Sequence, residues 1–405
     1  MRAEGDVPDL TTGQRIKLYR ERAGKSRPVL AGLVGKSSEW VKAVETGRIL
    51  APRLSMLGQI ARVLRVDVQD LLDGPEDNVV ITAGSGHPAL AEVRAVLNRL
   101  PLASREPQSL DHIASRLALA WDARHRSPEH RTVIGALLPA LISDAQVAAR
   151  AYRGEDGRRA LALLSDVFGL AQMFLAYQPA ADLLWRVVDR ALLAAQESED
   201  PIALGQAVWF AMEAHRDSGD WDTAMTIGED AIHSLSSHLD DGGDALAGVY
   251  GALQAGCAFT AARAGDDGRA WRYWDAADAV AQRLPATYYQ RVTSFSQPVM
   301  VAHAVTLEVE LKRGGRALRA ASGPATAPIP SRPRQARHLI EVARGHYLRK
   351  DHAAMLGTLH DAHASAPETI RFNVYARQMA TAAMSGPPSM RRQAREIAAK
   401  VGLVG

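Results

Sequence analysis

Three stretches of this 405-residue chain carry residue types that could do chemistry. Residues 32–37 read GLVGKS, with the glycine, lysine and serine of a phosphate-cradling loop. Such a loop also needs a glycine at position 30, where Leu30 stands, so its backbone N–H groups could not wrap a phosphate. His352, His360 and His363, with Asp361 beside them, are metal-ligating types. They sit in an alanine-rich helical stretch, where packed or solvated histidines are the simpler reading. The single cysteine, Cys257, can build neither a disulfide nor a cysteine-based zinc site within the chain. No Ser-His-Asp set, carboxylate pair or glycine-rich dinucleotide turn occurs in a supporting context. The chain is therefore expected to be no enzyme and to need no cofactor or metal.

What remains is charge, and it is unevenly placed. Residues 12–65 carry twelve Lys or Arg against Glu21, Glu39 and Glu45, a net +9 over 54 residues. Residues 76–329 sum to −8 and residues 330–405 to +7. A compact basic head on a mildly acidic body is the electrostatic footprint of a nucleic-acid-binding module carried by a second domain. At 47% hydrophobic and 23% charged the chain is too apolar to be disordered and too long for one core. The opening MRAEGDVPDL has no apolar core of signal-peptide length, and no run of about 18 uninterrupted apolar residues occurs. A cytoplasmic, nucleoid-associated protein with no membrane partner is expected.

The elements that must position the basic residues are short helices. Thr11 and Gln14 have capping-box spacing, Ile16, Tyr19 and Ala23 share a face, and Gly24 stops the first helix. Ser26 caps a second, with Pro28 in its first turn, and Gly35 ends it. Ser37 caps a third, with Trp40, Val41 and Val44 inward and Gly47 at its end. A fourth runs from Leu54 to Leu64, and Asp67 starts a fifth ending at Leu71 and Leu72. Residues 74–88, with turn formers and a short β-branched run, read as a linker. Beyond them the spacing is helical to the end, and the Pro-rich 323–333 stretch predicts a mobile surface loop.

The helical part repeats itself. Gly219 precedes Ala224 by five residues and Ala231 by twelve; Gly265 precedes Ala270 and Ala277 by the same offsets. Leu359, Ala362 and Pro367 form a third copy with Lys350 in the glycine position, and Val188 and Ala191 a weaker fourth. Small residues at these offsets let two helices approach closely, which predicts stacked helical hairpins with a long, irregular period.

Residues 26–48, SRPVLAGLVGKSSEWVKAVETGR, resemble the helix-turn-helix of the Xre and lambda-repressor family. Leu30 and Ala31 face the helix junction, Leu33 packs beneath it, Gly35 makes the turn, and Val41 and Val44 anchor the second helix. The resemblance runs from Gly13 to Leu72, about 15% of the chain. It implies a five-helix DNA-binding domain whose second motif helix enters the major groove. By that resemblance Ser38, Glu39, Lys42 and Ala43 face base edges: Ser38 any base, Glu39 a cytosine amino group, Lys42 guanine or phosphate, Ala43 a thymine methyl. Arg15, Lys17, Arg27, Arg48 and Arg53 are the implied phosphate contacts, against the bland alternative of solvated surface charge. Arg20 and Glu45 resemble the family's internal ion pair, and Trp40 reads as core-edge packing.

The body resembles a tetratricopeptide-like solenoid. With an Xre-type head, the whole is similar to peptide-responsive regulators of Gram-positive bacteria and, more closely, to high-GC bacterial regulators associated with development and secondary metabolism. The expected architecture is all-α: an Xre-type domain at 10–73, a linker at 74–88 and a tetratricopeptide-like domain at 89–405. The expected partners are double-stranded operator DNA, a second copy of the chain, and a small-molecule or peptide signal held by the repeats. Trp185, Trp209, Trp271, Trp274, Tyr288, Tyr289 and Phe295 could form a stacking site for such a ligand or could simply pack helices together. A DNA-tethered adaptor whose repeats bind a partner protein, with no small ligand, is the competing expectation.

Overall fold

The computed structural model describes residues 11–49, 52, 54–64, 66, 71, 86–99, 105–323, 328–384 and 388–403. All regular elements among them are helical. The head comprises α1 (Thr12–Arg22), α2 (Arg27–Leu33), α3 (Ser38–Glu45) and α4 (Leu54–Leu64). Thr11 N–H donates to Gln14 Oε1 at 2.9 Å and Gln14 N–H to Thr11 Oγ1 at 3.3 Å, completing the expected capping box. Ile16, Leu30, Ala31, Val41, Val44, Leu57, Ile60, Leu64 and Leu71 form one core. Its tightest approach is at Gly13, where a Cβ would lie 2.1 Å from the carbonyl oxygen of Val44, so only glycine lets α1 cross α3 there. The start of the expected fifth helix lies outside the described residues, as does most of the 74–88 linker. The linker's last residues are not free: His87 is buried, its N–H bonded to Gln178 at 2.9 Å and its ring to Thr132 at 3.0 Å.

The body runs α5 (Leu90–Asn98), α6 (Leu110–Arg126), α7 (His130–Ala151), α8 (Gly154–Leu175), α9 (Ala181–Ser198), α10 (Pro201–Asp217), α11 (Trp221–Ser236), α12 (Gly243–Ala264) and α13 (Asp267–Arg283). It continues through α14 (Gln297–Glu310), α15 (Gly314–Ala321), α16 (Arg332–Leu348), α17 (His352–Ser365), α18 (Pro367–Arg371), α19 (Val374–Met384) and α20 (Arg391–Lys400). Successive helices pack on each other as a helical repeat-like array. The alanine, valine and leucine repeat positions inferred from spacing are interior: Val188, Ala191, Ala224, Ala231, Ala270, Ala277, Leu359 and Ala362 are all buried, whereas Pro367 of the third copy is half-buried. Gly219 and Gly265 turn the chain in the left-handed region, at φ +83° and +79°, and Lys350 does the same in the third copy at +60°. A lysine there costs about 1 kcal/mol more than glycine, which the hairpin's packing offsets.

Two body helices, α7 and α12, have the length and hydropathy of membrane spans. Half of the apolar window of α7 and 78% of that of α12 is buried inside the fold, as expected for core helices. The Pro-rich 323–333 stretch ends inside a helix, and residues 324–327 lie outside the described residues. Ser331 is buried and its Oγ caps α16 by accepting from Arg334 N–H at 3.4 Å, with Pro333 in the first turn where it needs no donor.

The array closes on itself. The Glu368 carboxylate on α18 accepts from the N–H groups of Arg131, at 2.5 Å, and Thr132, at 3.2 Å, at the amino end of α7. It thus neutralises unpaired donors and the helix dipole from 237 residues away. His125 of α6 bonds Ser331 Oγ at 2.9 Å and the Arg291 carbonyl at 2.7 Å. Arg337 of α16 donates to Tyr177 Oη at 2.9 Å. These ties join the first body helices to the last and enclose a central cavity.

Candidate functional site

Two places concentrate polar side chains with work to do: the outer face of the head and the cavity of the body. In the head, Ser26 Oγ accepts from Val29 N–H and Ser37 Oγ from Trp40 N–H, fixing where α2 and α3 begin. Between them Gly35 takes φ +67°, the left-handed turn that lets α3 cross α2. The amphipathic α3 turns Trp40, Val41 and Val44 inward and leaves Glu39 and Lys42 exposed. Lys42 Nζ lies 3.6 Å from Glu39 and Arg48 lies 3.7 Å from the same carboxylate, so the acid on this face is flanked by two cations. Ser38 is half-exposed beside them.

Three expectations for the head are corrected. Ala43, expected at a base edge, is 1% exposed; it lies three residues after Trp40 on the inward arc, and its carbonyl accepts from Ile49 N–H at 3.2 Å. Leu33, expected beneath the junction, is 57% exposed at the last turn of α2. Arg27, expected on phosphate, instead donates from Nε to Glu45 at 2.7 Å. Arg20 bonds the same carboxylate through both Nε and Nη2. The internal ion pair is thus a triad, with the Glu45 side chain fully buried. Burial pushes the Glu45 carboxyl upward, but Arg20 and Arg27 outweigh it and hold it below the ordinary value. Lys17 and Arg48 are exposed and Arg15 is half-exposed, while Arg53 lies outside the described residues.

The body cavity has a volume of about 140 Å³. Arg124, Arg131, Arg216, Arg334 and Arg337 all line it, against the carboxylates of Glu213 and Asp217. Arg131 and Arg216 are only 6% and 2% exposed, yet the Nε of each has no hydrogen-bond partner. The same holds for Arg334 Nε and for Nε and Nη1 of Arg124. Burial pulls Arg124 down to about 10, with Arg334 adding repulsion, and pulls Arg131 to about 10, with Arg124 adding repulsion. His303, half-buried beside Arg334 and Arg216, is held well below its ordinary value by desolvation and by those two cations, and is neutral at pH 7.

The expected aromatic site does not assemble. Of its seven members only Trp209 lines the cavity. Tyr289 sits at its edge, packed edge-on against His125. Trp271 and Trp274 pack on each other at 5.6 Å, and Trp274 Nε1 donates to the Met300 carbonyl. Trp185 meets His215, while Tyr288 and Phe295 fill the space over Gly248 and Gly251. Two of the three histidines of α17 have local partners: His360 is 2.8 Å from Lys400 Nζ and His352 packs edge-on against Tyr347. Sequence reasoning missed the arginines. Their signal was present in α16, where Arg334, Arg337, Glu341 and Arg344 recur at three- and four-residue spacing, but such a stripe is ordinarily solvated.

Residues 12–73 match the helix-turn-helix domain family. Nothing among curated protein sequences matches the chain. Among solved structures it is similar to the apo form of ComR from S. thermophilus, 16% identical, over 77% of this chain and 93% of that one, with a TM-score of 0.31. It is also similar to Bacillus thuringiensis PlcR in complex with the peptide PapR7 and DNA, 11% identical, over 86% and 99%, TM-score 0.29. A third is the competence regulator ComR from Streptococcus vestibularis in complex with its cognate signaling peptide XIP, 17% identical, over 73% and 97%, TM-score 0.27. The chain is thus an all-α protein with an N-terminal helix-turn-helix DNA-binding domain on a helical repeat-like body.

Proposed function

We propose that this chain is a sequence-specific transcriptional regulator of Xre type. Its α3 reads operator DNA in the major groove, and its tetratricopeptide-like body dimerises and answers a chemical signal. The observation that carries the reading is α2, the left-handed Gly35 and α3 in sequence, with Glu39 and Lys42 exposed on a basic head. Ser38, Glu39 and Lys42 are the base-reading candidates; Lys17 and Arg48 are the phosphate candidates that remain on the surface. Dimerisation follows from need, because one small head makes too few contacts for useful specificity. The arginine-lined cavity within the body favours a body that holds a small ligand over an adaptor that only binds a partner protein. Selection of the full-length protein on a random duplex library, followed by binding isotherms across a salt series, tests the DNA reading. A recovered palindromic site, bound at least tenfold more weakly after Lys42→Ala, is expected. Recovery of no preferred sequence would overturn it.

A further inference from the structure

The arginines of the body fall into two groups. Arg344 donates to Glu310 at 2.9 Å and to Glu341 at 2.5 Å, Arg337 to Glu341 at 2.9 Å, and Arg263 lies 3.7 Å from Glu310. There the fold supplies carboxylates to buried guanidiniums, as a low-dielectric interior requires. The cavity group is treated differently. Arg124 makes only a 3.7 Å contact to the Met173 sulfur, and Arg334 only a 3.1 Å contact to the neutral His303 ring. Arg131 donates to the Phe174 carbonyl and stacks on Phe372, while Arg216 meets Glu213 and stacks on Phe259. Among the described residues no carboxylate pairs with the side chain of Arg124, Arg131 or Arg334 within 4.0 Å. Five guanidiniums line one space: Arg337 is compensated by Glu341 and Arg216 by Glu213, Asp217 is already engaged by Arg263 at 3.1 Å, and Arg124, Arg131 and Arg334 are left without a carboxylate among the described residues.

We propose that this cavity is the binding site of a compact polyanion, a small molecule carrying a phosphate or several carboxylates, clamped by Arg124, Arg131, Arg216 and Arg334. The inference deepens the signal-sensing reading above and rests on it for its regulatory meaning, although the site itself stands on the geometry. A planar guanidinium is the group best suited to bind such anions through paired hydrogen bonds, and the free Nε atoms are donors in want of acceptors. Burial, with smaller repulsion from Arg334 on Arg124 and from Arg124 on Arg131, lowers the affinity of both for their protons. They remain charged at neutral pH. Size argues for a small ligand: about 140 Å³ is close to the engineered cavity volume that accepts a benzene-sized solute. The apolar wall of Trp209, Phe259 and Met173 leaves room for a short carbon skeleton beside the charged groups. Because the four clamping arginines come from α6, α7, α10 and α16, a bound anion would tie the first body helices to the later ones.

The test uses the full-length protein at constant ionic strength, titrated calorimetrically with pyrophosphate, standing for phosphorylated ligands, and with citrate, standing for polycarboxylates. Holding ionic strength with sodium chloride separates site binding from general screening. At least one probe should bind saturably and raise the melting temperature by roughly 3–5 °C at saturation. Arg124→Met and Arg334→Met should each melt no lower than the parent without anion, because a lone buried charge is removed, and should lose at least tenfold in affinity. Arg124→Lys, which keeps a charge without the fork, should fold like the parent and bind with intermediate affinity, and it serves if the methionine variants fail to fold. A preference for one probe assigns the phosphoryl or carboxylate class. No saturable binding by either probe, or equal affinity in all variants, overturns the proposal. Duplex binding is measured separately: anion binding without sequence-specific DNA binding would remove the regulator and keep the site.

Discussion

Lys36 Nζ lies 3.1 Å from Asp220 Oδ1, an ion pair that fastens the turn of the helix-turn-helix to the amino end of α11 in the body. The lysine side chain is only 6% exposed, and beside it Trp40 of α3 packs against Trp221 with ring centroids 6.1 Å apart. Ser37, Glu39, Trp40 and Arg48 thereby share a cleft with Asp222, Asp266 and Asp267. The body thus presents carboxylates next to the end of α3 that meets base edges in this motif, where DNA phosphates would be repelled. The double variant Asp220→Asn, Trp221→Ala should increase hydrogen exchange in α3. It should also tighten duplex binding severalfold, most at low salt. Unchanged exchange and unchanged affinity would show that the clasp is not what holds the head.

Glu45 anchors α3 to both α1 and α2, so its replacement should be costly. Glu45→Gln leaves Arg20 without its charged partner and should lower the stability of the head by about 3 kcal/mol. Because the carboxyl is held below its ordinary value when folded, its contribution is present above the unfolded value of about 4.3 and is lost as pH falls from there through the lower folded value. Chemical denaturation followed at pH 7 and at pH 3 should therefore show a smaller difference between parent and variant at the lower pH. Arg27→Ala should act on the same melting transition and leave the salt dependence of DNA binding unchanged, whereas Lys42→Ala should reduce that salt slope by about one if Lys42 meets a phosphate.

The head was largely legible in the sequence because caps, glycine stops and inward hydrophobics are local signals: Thr11, Ser26, Ser37 and Gly35 each do what their spacing predicts. Ala43 was misplaced because the resemblance assigns it to the outer face, although its position three residues after Trp40 puts it on the buried arc of α3 with Val41 and Val44. Arg27 was misread because its partner Glu45 is 18 residues away. In the body, alanine offsets located the hairpins, since close helix approach demands small residues wherever it occurs. The cavity was not legible. Arg124, Arg216 and Arg334 are brought together by closure of the whole array, and in sequence each looks like an ordinary surface cation.

Gly13 offers a test of the head's tightest contact. Gly13→Ala keeps the helical conformation and would gain helix propensity on an open surface, by about 1 kcal/mol. Here the new Cβ would press on the backbone carbonyl of Val44, which cannot rotate away. A net loss of about 1–3 kcal/mol is expected from overpacking, read as a lower melting point for the head with the body transition unmoved. A stabilised head would show that α1 and α3 separate more easily than their packing implies.

Glu310 predicts a different acid response for the body. Burial pushes its carboxyl up, but Arg344 and Arg263 outweigh that and hold it down to about 2. Its stabilisation is therefore complete above the unfolded value near 4.3 and is lost as pH falls toward 2. Glu310→Gln leaves two buried guanidiniums short of a counter-charge and should cost about 3–5 kcal/mol at pH 7. Urea denaturation at pH 7, 4 and 3 should show the parent's advantage shrinking with each step. A pH-independent difference would mean that packing, not charge, is what the carboxylate contributes.

Cys257 should be chemically silent until the body opens. It is buried in α12 against the packed helices, and an added Cβ on Gly228 would lie 2.9 Å from its Sγ. Burial pushes the thiol up to about 12, and the thiolate is the reactive form, so the native chain presents neither the nucleophile nor a path to it. A disulfide reagent at pH 8 should leave the folded protein unlabelled over an hour and release one equivalent of chromophore in concentrated guanidinium chloride. The rate of labelling at intermediate denaturant then reports opening between α10, α11 and α12. Saturating pyrophosphate or citrate should slow that labelling if the anion strengthens the closed array, because a ligand bound only by the folded state lowers the population of the open one. Full labelling of the native protein on mixing would show that this layer of the body is far looser than its buried alanines and Leu253 require.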